Sequence, residues 1–152
     1  MNNFFSTLTR TNASDYPALI IRLTLGVTML PHGLQKTLGS FGGYGFQGTL
    51  GFFTETLGIP FVVAILVIAA ESLGALSIAL GFLTRFCAAS LVLVMIGAIT
   101  MAHWDNGFFM NWTGQQAGEG FEYHLLVIGL SLALIVSGGG AYSLDSRLSK
   151  GK

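Results

Sequence analysis

Four apolar stretches, residues 16–38, 60–82, 85–103 and 122–142, constrain this chain more than any other feature. Each is about 20 residues long, the length a helix needs to cross about 30 Å of hydrocarbon at 1.5 Å per residue. Hydrocarbon offers no partner to backbone N–H and C=O groups, so such a run folds as a helix, which satisfies them internally. The alternating pattern of a membrane β-barrel is absent. The expected fold class is therefore an all-α membrane protein, a four-transmembrane-helix bundle forming one domain over residues 1–152. Composition agrees, with 52% of the residues hydrophobic and 9% charged, against about 25% charged in a soluble domain. Formal net charge is zero, which gives no footing for a nucleic-acid partner. The partner that the composition names is the lipid bilayer.

The first stretch reads as a retained helix rather than a cleaved signal. It follows Arg10 and Asp15, exceeds twenty residues, and ends at Lys36-Thr37-Leu38-Gly39 without a small-residue cleavage pattern. Residues 83–84 form a tight turn between the second and third stretches, which makes those helices antiparallel neighbours. The other two connections are long. Residues 39–59 are rich in glycine and phenylalanine, and residues 104–121 carry Trp104, Phe108, Phe109, Trp112 and Phe121. Aromatic residues of this density belong near the membrane–water interface. An even number of crossings separates these glycine/aromatic-rich loops, so both are expected on the outer face, as a cap over the bundle or as simple interfacial anchors.

Six of the seven basic residues fall in the opposite half: Arg10, Arg22, Arg85, Arg147, Lys150 and Lys152, with Lys36 alone on the loop side. The positive-inside rule then puts both termini and the tight turn in the cytoplasm. The lone cysteine, Cys87, lies in an apolar run and reads as a small buried hydrophobe.

Ionisable side chains in hydrocarbon cost about 2.5–3.5 kcal/mol each, so those within the stretches need a reason. Glu71 sits at the middle of the second stretch, among small residues such as Ala64, Gly74 and Ala75, and is expected to face the bundle interior. It is either half of a structural ion pair with Arg22 or a carboxylate that handles a ligand or proton. His32 and Lys36, spaced i, i+4, share a face of the first stretch. Pro31 removes an N–H beside His32 and leaves the Val27 carbonyl without its helical partner. Lys36 snorkelling to the interface and His32 as a core histidine are the plain alternatives. His103 closes the third stretch and Glu122 opens the fourth on the same side. Either could be merely interfacial, and Glu122 could simply stabilise its helix N-terminus. His124 lies about 200° around the helix from Glu122, so the two should not both face inward. His32, Lys36, Glu71, His103 and Glu122 nonetheless share one half of the bilayer, and they form the candidate ligand-binding set, expected to line one cavity open to the outer face.

The residues quoted so far, with their neighbours, resemble the DoxX family of small four-helix membrane proteins. The likeness runs through residues 22–26, 32–36 and 41–43, Phe53 with Leu57-Gly58, Glu71 with Gly74, and residues 81–85. It continues through His103, Gly107-Phe108-Phe109, Glu122-Tyr123 and residues 142–145. The expected location is a bacterial inner membrane, and the resemblance implies a link to membrane redox work. One relative is a subunit of a thiosulfate:quinone oxidoreductase, and others accompany responses to quinones, catechols or oxidative stress.

This chain has no cysteine pair, haem-attachment motif or nucleotide fingerprint, and so no self-sufficient catalytic motif. The expected role is a non-haem, non-flavin subunit or binding protein, holding a quinone-like or phenolic molecule in a polar intramembrane cavity and working with a redox protein partner. His32, Lys36 and Glu71 could hydrogen-bond carbonyl oxygens and move protons. A metal-binding or metal-handling protein using His32, Glu71, His103 and Glu122 is an alternative, with ligand types suited to a first-row metal but no local motif. A small-solute transporter and a non-catalytic scaffold are the others, and four helices are few for alternating access. Four-helix units often associate, so a homo-oligomer also stays open.

Overall fold

The computed structural model describes residues 3–150, with side chains from Phe5 to Ser149. Lys152 and the side chain of Lys150, counted among the basic flank, lie outside the described residues. Every regular element among the described residues is helical. In chain order they are α1 (Asn3–Thr9), α2 (Tyr16–Leu38), α3 (Gly45–Gly51), α4 (Phe61–Leu80), α5 (Thr84–Asn106), α6 (Glu122–Ser137) and α7 (Leu144–Lys150). Three of them, α2, α4 and α5, are long and apolar enough to cross a membrane, and α6 is a shorter apolar helix.

Local chemistry sets the ends. Asp15 Oδ1 accepts from the Ala18 N–H at 3.0 Å, and Pro17 occupies the first turn of α2, the place where a missing N–H costs nothing. Gly39 ends α2 and Gly81 ends α4, both left-handed with φ near +70°, a conformation glycine reaches without steric cost. The fourth apolar stretch stops earlier than 142. Gly138 (φ 77°) and Gly140 (φ 70°) break the helix after Ser137, and residues 138–143 form a turn that leads into α7. The connection over residues 39–59 is more ordered than a loop. It contains a 3-10 turn, α3 and a π-turn, Phe52–Thr56.

The core lies where the long helices meet. Leu25 and Met29 of α2, Ala75 and Ile78 of α4, Ala88, Leu91 and Met95 of α5, and Val127 and Leu134 of α6 are buried together. Small residues let backbones approach, as helix association in lipid requires. A Cβ on Gly26 would fall 2.7 Å from Ala79, and one on Gly33 would strike the backbone of Glu71 and Ser72. The outward faces are large and apolar, including Ile20, Val27, Leu66, Leu126 and Val136. Such a surface is stable only against hydrocarbon.

The two terminal segments and the tight turn share one end of the bundle, where Ser149 Oγ donates to the Thr9 carbonyl at 2.7 Å. Two arginines tie that end together. Arg22, 3% exposed, donates Nε to Gly139 O (2.8 Å), Nη2 to Ala141 O (3.1 Å) and Nη1 to Ala79 O. Arg85 donates to the carbonyls of Arg10 and Ile135. Asp145, fully buried, accepts from Leu83 N (2.8 Å), Thr84 N (2.9 Å) and Thr84 Oγ1 (2.7 Å). It caps α5 from across the chain.

Candidate functional site

A cavity of about 950 Å³ opens between α2, α4, α5 and α6. Its end nearest the long connections is polar, with Lys36, Glu71, His32, Tyr123, His124 and His103 on its wall. Phe52, Phe53 and Leu57, beyond α3, and Met110 of the second long connection also line it. Both long connections therefore contribute residues to the cavity wall.

Two π-turns place polar groups here. Ala70–Gly74 carries Glu71, and Ile99–His103 ends on His103. A π-turn adds one residue to a helical turn, re-aims the side chains around it, and occurs often at functional positions. Glu71, 6% exposed, is paired with Lys36: Nζ lies 2.5 Å from Oε2. The expected alternative pair with Arg22 is not formed. Arg22 lies at the level of the terminal turns, where α4 and the glycine turn after α6 end in free carbonyls, and these consume its donors. Lys36 reaches inward rather than snorkelling, because Gly33 brings the Glu71 backbone close against α2.

Four rings line up from this pair towards the connections. The ring centroids of His32 and Tyr123 are 5.9 Å apart, those of Tyr123 and His124 6.0 Å, and those of His124 and His103 4.2 Å. His103 Nδ1 lies 2.8 Å from the Glu119 carbonyl. A carbonyl only accepts, so Nδ1 carries a proton and donates to it. His124 is 7% exposed and its Nδ1 has no hydrogen-bond partner among the described residues. A buried polar nitrogen without a partner costs free energy, and a ligand group could supply that partner.

Glu122 is not on the cavity wall. Its Oε1 accepts from Met110 N (2.9 Å) and Trp112 Nε1 (3.2 Å), so it fastens the covering connection instead. The next two residues, Tyr123 and His124, take the inward face in place of Glu122. Sequence spacing shows that Glu122 and His124 point apart, and the N–H donors that the connection offers to Glu122, the Met110 backbone and the Trp112 indole, decide which one turns outward. Among the described residues, no three His, Cys, Asp or Glu side chains gather to hold a metal ion. The set His32, Glu71, His103 and Glu122 is thus not assembled, since Glu122 is engaged elsewhere.

A family model described as DoxX matches residues 18–104, from α2 to the end of the π-turn that carries His103. The chain is 31% identical over 134 residues to CatD of Bacillus subtilis (strain 168), which is named provisionally as an oxidoreductase; 88% of each chain is covered. It is 30% identical over 136 residues to inner membrane protein YphA of Escherichia coli (strain K12), covering 85% of this chain and 88% of the relative. No solved structure matches the chain.

Proposed function

The chain belongs to the DoxX family, and from that premise we propose a membrane-embedded, redox-linked protein that holds a quinone-like or phenolic ring in its intramembrane cavity. One observation carries the reading: Lys36, Glu71, His32, Tyr123, His103 and His124 converge on one end of an otherwise apolar cavity of about 950 Å³. Pockets for small organic ligands have this form, mostly apolar with a few polar groups, and fall between roughly 300 and 1,000 Å³.

The chemistry suits oxygens on a flat ring. A quinone carbonyl is an acceptor, and the Lys36 ammonium or an imidazole N–H can donate to it. A phenolic O–H is a donor, and the Glu71 carboxylate or a free imidazole nitrogen can accept from it. The same groups can take up or release the protons that accompany quinone–quinol exchange. Electrons would pass to or from a partner redox protein, a reading that fits a sequence without a cysteine pair, haem-attachment motif or nucleotide fingerprint. CatD's name places one relative among oxidoreductases, which supports the class of chemistry.

The membrane arrangement follows from the same reading. We take α6 as a fourth crossing. Its 16 residues span about 24 Å, and local thinning of the bilayer accommodates a short helix. Residues 1–152 then form one domain, with termini and tight turn cytoplasmic and the covered polar end outward. A bacterial inner membrane is the location that YphA's name supports. The test is to extract gently solubilised protein with organic solvent and identify the released compounds by mass spectrometry. A stoichiometric quinone or phenol supports the reading, and only phospholipid counts against it.

A further inference from the structure

The cavity is longer than a ring requires. On α5 its wall runs from His103 down to Phe86, about 25 Å along the axis at 1.5 Å per residue. The charged and imidazole groups occupy the half of that length between Glu71, at the middle of α4, and His103. Towards the tight turn the wall becomes Gly74, Ser77, Phe86, Cys87 and Leu93, with Cys87 Sγ 3.9 Å from the Phe82 carbonyl and Ser90 Oγ donating to the Phe86 carbonyl at 3.0 Å.

This apolar arm is open sideways. Leu73 of α4 and Leu93 of α5 line the cavity, yet they are 67% and 72% exposed. Residues that face both a cavity and the outside of the bundle mark a mouth, and outside the bundle at this depth is hydrocarbon. Small residues widen the slot between the two helices. Glycine and alanine on a membrane helix usually let a neighbour pack close. Gly97 also lines the cavity, and a Cβ there would meet nothing within 4 Å. The room it leaves is unfilled.

We infer that the ligand is a membrane-dissolved amphiphile, whose ring occupies the polar end while a long hydrocarbon tail lies in the apolar arm and leaves between α4 and α5 into the bilayer. The slot is also its route of entry, so the covering connections over residues 39–59 and 104–121 need not open. This inference rests on the ring-binding reading above and adds the tail, the side of entry and the residues that select for it. A water-soluble phenol would gain nothing from the arm.

The experiment measures binding to the full chain in nanodiscs, using a naphthoquinone without a side chain and the same ring bearing an isoprenoid tail, at equal mole fractions in the bilayer. The tailed compound is expected to bind wild type at least tenfold more tightly. Ser90→Phe fills the arm, and should abolish that advantage while leaving the tail-less ring within twofold of wild type. Gly97→Leu obstructs the slot at a position where a side chain meets no neighbour, and provides the same comparison should Ser90→Phe fold poorly. Equal affinities in wild type, or a tail advantage that survives both substitutions, would overturn the inference while leaving ring binding intact. If wild type binds neither compound, the ring-binding reading itself fails, and the tail with it.

Discussion

Lys36 Nζ lies 2.5 Å from Glu71 Oε2, an ion pair that joins α2 to the π-turn of α4 at the polar end of the cavity. Each charge would be expensive alone in hydrocarbon, and together they offset much of that expense. The pair both fastens two helices and sets a donor beside an acceptor where a ligand oxygen can reach them.

Glu71→Gln leaves the Lys36 ammonium without its counter-charge, and is expected to cost about 3–5 kcal/mol, as removal of one partner from a buried pair does. Replacing both, Lys36→Met with Glu71→Leu, should recover most of the loss. Reversible unfolding in detergent micelles measures both. A double variant no more stable than Glu71→Gln would show that the pair is not what the single substitution breaks.

Gly33 makes the pair possible by close approach, since a Cβ there strikes the backbone of Glu71 and Ser72. Gly33→Ala should push α2 from α4, costing about 1–3 kcal/mol, and should weaken the coupling between Lys36 and Glu71. A double-mutant cycle on the pair in the Gly33→Ala background reads that coupling. An unchanged coupling energy would mean that the helices adjust without moving the pair.

Asp145 caps α5 through the Leu83 and Thr84 N–H groups and the Thr84 hydroxyl. Asp145→Ala strands these donors in a buried place, and each unmet donor costs about 1–3 kcal/mol. A clear drop in thermal midpoint is expected, with Asp145→Asn falling between the alanine variant and wild type. Quinone binding in the surviving folded fraction should not change, because the cap lies at the far end of the bundle.

The orientation is tested by labelling. A cysteine at Gln115, exposed in the second long connection, should react with an impermeant maleimide on intact cells. One at Arg147, exposed in α7, should react only after permeabilisation. Cys87 is buried and contributes little background. The reversed pattern would invert the topology.

Much of the fold is legible in the residues, because lipid leaves a long apolar run few options. The first helix, 16–38, matches at both ends, where Asp15, Pro17 and Gly39 are unambiguous signals. The fourth is shorter than its apolar run because Gly138 and Gly140 outweigh the hydropathy of the residues beyond them. Glu71 is legible as an inward group because no other placement of a mid-membrane carboxylate is affordable. Its partner is not. Choosing Lys36 over Arg22 depends on which carbonyls lie at the terminal end of the bundle, and no local pattern encodes that. That Glu122 and His124 point apart is legible from their spacing, but which of them faces inward is not, because the outward turn of Glu122 is decided by Met110 and Trp112 in the connection. A π-turn has no reliable sequence signature either, and this holds for both the one at Glu71 and the one at His103.

The most direct measurement is equilibrium binding of a tail-less quinone to purified protein in nanodiscs, for wild type, His32→Ala and Glu71→Gln. If the polar end holds the ring, wild type binds with measurable affinity and each substitution weakens binding about tenfold, the loss of roughly 1.4 kcal/mol, while both variants remain folded. Wild type that fails to bind, or binding indifferent to both substitutions, would contradict the assignment of this cavity as the site.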